Sequence, residues 1–225
     1  LEKVTSLEVA KKAGVSQSAV SRVFTPGASA SKGTSERVRK AANDLGYRPN
    51  VLARAMVSGK SRMIGLVVAY LDNLFYPNAL EKLSNQLKEK GYHVLIFMAS
   101  QTAGNIDEVL HEIMGYQVDG IVLASVAMSS DLASECQKAG VPVVLFNRSQ
   151  DDDRLSSVGS NNVSGGRKIA DFLIAGGHKK IAHIAGWEGA STQRDRETGF
   201  LSGLHSVGIK LFAREVGNFQ IEKAR

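Results

Sequence analysis

Residues 15–24 read Val15-Ser16-Gln17-Ser18-Ala19-Val20-Ser21-Arg22-Val23-Phe24, and at helical spacing they divide into two faces. Ala19, Val20 and Val23 fall on one side, while Gln17, Ser18, Ser21 and Arg22 fall on the other. Gly14 ends whatever helix precedes the stretch, and Ser16 is placed to cap a new one by accepting from the N–H groups of its first turn. The apolar face needs a partner. Residues 6–13 supply it through Val9, Ala10 and Ala13, and Thr5 with Glu8 forms a capping box at the start of that segment. Two short helices joined at a glycine, the second turning small polar residues and an arginine outward, make a helix-turn-helix pattern. The outward residues suit base edges: Arg forks two donors onto guanine, Gln pairs both ends of its amide with adenine, and Ser donates or accepts.

Charge supports this reading. The 225 residues carry a formal +6, but residues 1–62 hold 12 Lys and Arg against 4 Asp and Glu, whereas the remaining 163 hold 16 against 18. All the excess positive charge lies with the helix-turn-helix, as expected of a module that grips phosphates. At 43% hydrophobic content the chain can also build a substantial core elsewhere. The single cysteine, Cys136, sits among Leu132, Ala133 and Ala139 at helical spacing and is expected in a core, with no disulfide framework. No stretch has the length of a membrane span and no apolar signal region opens the sequence, so a cytoplasmic protein without membrane partners is expected. The first residue is Leu1 rather than Met, so the expectation is that some N-terminal sequence is missing.

After the loop at residues 25–31, Val38, Ala41, Ala42 and Leu45 mark a third helix, ended by Gly46. Tyr47-Arg48-Pro49 breaks it, and Asn50 is placed to cap a very short helix over residues 51–57. The Gly59-Lys60-Ser61 that follows is not a phosphate loop, because Arg54 stands where a glycine is required and no strand precedes it. From Met63 the pattern becomes alternating strand and helix: strands at 64–69, 94–98, 121–124 and 143–146, with helices around Leu80, Leu110 and Leu132 between them. That rhythm predicts an α/β fold with a parallel sheet covered on both faces. Ligands of such sheets sit beyond the strand carboxyl ends, here residues 70–76, Ala99-Ser100, Ser125 and Asn147-Arg148. Beyond the expected loop at Asp151-Asp152-Asp153, residues 158–162 lead into a helix through Ile169, Ala170, Leu173 and Ile174. A strand at 181–186, a helix from about Arg194 to Val207 and a strand ending near Phe219 open a second lobe, which the pattern predicts to be incomplete.

Taken together, Val4-Thr5, Val9-Ala10, Ala13-Gly14-Val15-Ser16 and Val20-Ser21-Arg22-Val23 resemble the head of the lactose-repressor (LacI/GalR) family of bacterial transcription regulators. Gly46-Tyr47-Arg48-Pro49-Asn50, Ala53-Arg54, Asn73 with Phe75-Tyr76, Gly165-Gly166-Arg167, Gly177-His178 with Ile181 and Ile184, and Arg196 with Gly199-Phe200 carry the resemblance over essentially the whole chain. It implies an all-α helix-turn-helix head over residues 1–46, a hinge with a short helix over 47–61, and a two-lobed periplasmic-binding-protein-like domain. Its first lobe would be 62–160, and 161–225 would be part of its second. It further implies a homodimer or homotetramer on double-stranded operator DNA, with a small sugar-like effector controlling it allosterically, in most members as a repressor. Gln17, Ser18 and Arg22 then take the base-reading positions, with Thr5, Ser16, Ser21 and Asn50 near phosphates. Ala53 and Met56 take the minor-groove face of the hinge, where Met56 replaces the usual Leu wedge. Asn73, Phe75, Tyr76, Ser125, Asn147, Asn161, Thr192, Arg196 and Phe219 are implied to line the effector cleft, and at Asn161 the family more often has Asp.

Enzyme signatures find no match. His111-Glu112 lacks the second histidine of a zinc-protease helix, and His93, His178, His183 and His205 form no ligand-spaced group. There is no nucleophile elbow, and the first strand is not followed by a dinucleotide-binding glycine pattern. The expectation is therefore a regulator without cofactor or metal. The alternative is a plain sugar-binding or sugar-modifying protein of the same two-lobed fold, which the basic head and hinge argue against.

Overall fold

The computed structural model describes residues 4–25, 27–49, 59–69, 71, 75–99 and 103–224, with the side chains of 103–105 not described. The expected hinge helix and the readings of Asn50, Ala53, Met56 and Asn73 lie outside these residues. The chain divides into two compact units, Leu1–Ser61 and Arg62–Arg225.

The first unit is built from α1 (Ser6–Ala13), α2 (Gln17–Phe24) and α3 (Lys32–Leu45). Each start is chemically fixed. Thr5 and Glu8 form the reciprocal capping box, while Ser16 and Ser31 cap α2 and α3 by accepting from Ala19 N and Thr34 N. Gly14 and Gly46 end α1 and α3 in the left-handed conformation, at φ 65° and 68°. The core consists of Val9, Ala10, Ala13, Val20, Val23, Val38, Ala41 and Ala42. Small side chains let three short helices approach closely, and Phe24 and Tyr47 close the edge with ring centroids 5.9 Å apart.

The second unit opens with β1 (Met63–Val68), α4 (Phe75–Glu89), β2 (His93–Met98), α5 (Ala103–Gly115), β3 (Gly120–Ala124), α6 (Ser130–Lys138), β4 (Val143–Phe146) and β5 (Ser156–Val158). All pairings are parallel, in the order β2-β1-β3-β4-β5. One face of the sheet packs on Leu110, Ile113, Leu132 and buried Cys136, the other on Tyr76 and Leu80. The fifth strand is not visible in the hydrophobic pattern. It reads Ser156-Ser157-Val158, has all three residues exposed, and is held as an edge by β4.

Two further helices and a second sheet follow: α7 (Asn162–Ala175), β6 (Ala182–Ala185), α8 (Ser191–His205) and β7 (Ala213–Val216), with β6 and β7 parallel. Helices α7 and α8 pack backbone against backbone. A Cβ on Gly166 would strike the Arg196 carbonyl, one on Gly199 the Val163 carbonyl, and one on Gly203 the Ala170 side chain. Helix α8 starts at Ser191, three residues before the position that apolar periodicity suggests, because its first turn, Ser191-Thr192-Gln193, is polar yet buried.

Candidate DNA-reading face and effector cleft

In the head, α2 turns Gln17, Ser18, Ser21 and Arg22 to the surface, while Val20 and Val23 are buried. The Arg22 guanidinium makes no hydrogen bond or ion pair with any described residue, so its fork is available to a partner. Gln17 is partly engaged: its Nε2 donates to Ser6 Oγ at 2.8 Å, which ties the N-terminal turns of α1 and α2 together. The Ser16 and Ser18 hydroxyls lie 3.0 Å apart. The Thr5 backbone N–H donates to Glu8 Oε2 at 2.7 Å and its hydroxyl donates to the same oxygen at 2.8 Å, and these two bonds hold the Glu8 carboxyl below the usual carboxylate range. Two capped helix N-termini side by side present N–H groups and positive dipole ends, an arrangement that favours an anion such as phosphate.

In the second unit the strand ends build a cleft. Ser125 follows β3 and Asn147 follows β4; both are left-handed, at φ 65° and 58°, and the two paired strands therefore deliver them side by side. Such backbone strain, of order 1–3 kcal/mol per residue, is tolerated where the surroundings fix the conformation. Asn147 Nδ2 donates to the Tyr76 hydroxyl at 2.9 Å, and Phe75 stacks on Phe146 with its centroid 5.9 Å away. From the other side, Arg196 donates through Nε to Asn162 Oδ1 at 2.8 Å. Phe219 adopts φ 59° and lies over Gly186, where a Cβ would overlap its ring.

Phe75, Tyr76, Asn147, Arg196 and Phe219 join Arg148, Ser160 and Thr192 in lining an inner chamber of about 220 Å³. A larger outer chamber of about 680 Å³ adjoins it, with Ser125, Val126, Arg148, Gln150, Asp151, Trp187, Arg194 and Asp195 among its walls. Arg148 belongs to both. Its Nη1 donates to Thr192 Oγ1 at 2.7 Å, and Ser149 N donates to Ser191 Oγ at 3.1 Å, so the segment after β4 is bolted to the first turn of α8. Ser125 lines the outer chamber, and its buried hydroxyl has no hydrogen-bond partner among the described residues. Asn161 is placed differently from the pocket residues: its Oδ1 accepts from Ser164 N at 2.9 Å as the cap of α7. Arg148, Ser160 and Trp187 are chamber residues that sequence reasoning did not single out. Only the polar Asn147-Arg148 pair at a strand end hinted at one of them.

Comparison with known proteins places both units. Residues 6–50 match the model of bacterial regulatory proteins of the lacI family, and residues 61–223 match that of periplasmic binding proteins and the sugar-binding domain of the LacI family. Relatives include the maltose regulon regulatory protein MalI of Escherichia coli (strain K12), 31% identical over 92% of this chain and 61% of its own length. The HTH-type transcriptional regulator MalR of Streptococcus pneumoniae is 31% identical over 89% and 62%. The chain thus spans about three fifths of the length of these relatives. Among solved structures, the lac repressor dimer bound to operator and the anti-inducer ONPF superposes with a TM-score of 0.86 at 25% identity, over 99% of this chain and 68% of that one. The basic helix-turn-helix head, the parallel-sheet cleft and these matches agree: the chain belongs to the LacI family of bacterial regulatory proteins.

Proposed function

We propose that this protein is a sequence-specific DNA-binding transcriptional regulator of the repressor type, controlled by a small sugar-like effector. The observation that carries this reading is one chain joining a basic head with an exposed, unpaired Arg22 to a cleft walled by aromatic, amide and guanidinium groups. Gln17, Ser18 and Arg22 read base edges, and Thr5, Ser16, Ser21 and Asn50 approach phosphates. Ala53 and Met56 face the minor groove from the hinge. Phe75, Tyr76 and Phe219 offer faces to the apolar side of a sugar ring, and Asn73, Asn147, Thr192 and Arg196 meet its polar groups. The relatives named above are regulators, and this chain is read as a binding protein rather than an enzyme, working in the cytoplasm as a homodimer or homotetramer on near-palindromic operators. The alternative of a plain sugar-binding protein leaves the basic head without a purpose.

The effector acts by preferring one arrangement of the lobes, and only that preference shifts operator affinity. The test uses the full chain. Duplexes selected from a random pool should share a motif, and a metabolite panel should change affinity for that motif. Arg196→Ala is expected to keep operator binding and lose the metabolite response. No enrichment of any duplex would refute the regulator reading.

A further inference from the structure

Two side chains on the outward face of α2 differ in how they are held. Arg22 is exposed, and its guanidinium bonds to no described residue. Gln17 is exposed as well, yet its Nε2 donates to Ser6 Oγ at 2.8 Å, across to the first turn of α1. Both ends of that bond stand on fixed backbone. Ser6 is the first residue of α1 and half-buried, and the capping box of Thr5 and Glu8 anchors the turn it occupies. Gln17 is the first residue of α2, capped by Ser16, and Val9, Ala10 and Ala13 of α1 share one core with Val20 and Val23 of α2. The bond to Ser6 uses one donor of the amide. The carbonyl oxygen and the second N–H remain, and an acceptor with a donor beside it is the set that matches adenine N6 and N7 in the major groove.

We propose that Ser6 is a positioning residue for base recognition: it holds the Gln17 amide in the attitude that suits adenine, and so sets how strictly the base facing Gln17 is read. This rests on the reading of α2 as the base-reading helix. A glutamine side chain has several rotatable bonds and loses much freedom when it is fixed, so one already tethered before the duplex arrives keeps more of its contact energy as affinity. The tether also acts on the wrong bases. A free amide can turn its NH2 group toward guanine O6 and N7 or thymine O4, whereas the Gln17 amide must first break its bond to Ser6. Arg22 has no need of such a tether, because a guanidinium is planar and offers donors whichever way it turns.

The test uses the full chain and the motif it selects from a random pool of duplexes. The base facing Gln17 is the position whose preference Gln17→Ala relaxes. Affinities for all four bases at that position are then measured at one ionic strength for the unaltered chain, Ser6→Ala, Ser6→Thr and the Ser6→Ala/Gln17→Ala double variant. The unaltered chain is expected to prefer adenine there, and Ser6→Ala to weaken that preference about threefold or more. Preferences at the other positions and the unfolding midpoint should stay as they were. Ser6→Thr, which keeps the hydroxyl, should retain the preference, and in the Gln17→Ala background Ser6→Ala should change nothing further. An adenine preference unaltered or sharpened in Ser6→Ala overturns the proposal. So does a loss spread evenly over all positions, a loss that adds to that of Gln17→Ala, or a base other than adenine preferred by the unaltered chain. No motif selected at all removes the base-reading helix itself, whereas a motif whose preference ignores Ser6 removes only the role of Ser6.

Discussion

Arg22 and Gly186 show how much a single side chain, or its absence, decides. The Arg22 guanidinium is exposed on α2 and pairs with no other described residue, so its removal is expected to leave the head intact. Arg22→Ala is expected to cost about 1–3 kcal/mol of preference for the operator, with a smaller loss on random duplex; gel-shift titrations on both check this. An equal loss on the two would make Arg22 a phosphate contact instead. Gly186 has the opposite role, since the Phe219 ring occupies the space a Cβ would need. Gly186→Ala should displace Phe219 from the cleft and weaken effector binding while operator binding persists, which Trp187 fluorescence can follow on ligand titration. The exposed face of α2 was legible in the sequence because a helix repeats at a fixed period. Arg148 was not, because its burial arises only when the turn after β4 meets the start of α8.

At the scale of elements, the helix boundaries of the head follow local rules: a hydroxyl before each start and a left-handed glycine after α1 and α3. Thr5→Ala is therefore expected to cost the head about 1 kcal/mol, measured as a shift in its unfolding midpoint. Helices α7 and α8 depend on something less local, the absence of side chains at facing positions. Gly199→Ala would place a methyl against the Val163 carbonyl, and a destabilisation of about 1–3 kcal/mol is expected from the forced separation of the helices. Gly165-Gly166 and Gly199 were visible in the sequence, but nothing in it said that Gly166 and Gly199 face each other. The exposed strand β5 and the buried polar first turn of α8 escaped the hydrophobic pattern for a related reason. Pairing with β4 makes the one, and packing at the lobe junction buries the other.

At the scale of the whole molecule, the polar network at the base of α8 ties stability to pH. Gln193 joins Gly186 N, His183 and Glu197, and Arg214 bridges Glu197 to Glu188. Burial pushes the His183 imidazole below its ordinary range, and hydrogen bonds from Arg214 hold the Glu197 carboxyl below its own. In both cases the folded chain holds fewer protons than the unfolded chain. His183 therefore contributes stability at neutral pH that is lost as pH falls below about 6.5, and Glu197 adds a further loss in the carboxylate range. Thermal denaturation of the full chain is expected to show a Tm that falls between pH 7.5 and 5.5, with a shallower fall in His183→Gln. An unchanged slope in that variant would place the titration elsewhere. By itself the sequence determined the helix-turn-helix, the strand–helix alternation, the charge asymmetry and the aromatic and amide residues at the strand ends. Each of these is a property of neighbours along the chain, set by helical or strand period, capping and composition. The tertiary structure alone decided that Arg148 is buried and bolted to the start of α8, that Ser125 and Asn147 stand side by side in strained backbone, and that Asn161 caps a helix. Those properties come from segments distant in sequence meeting in space, and no periodicity encodes such meetings.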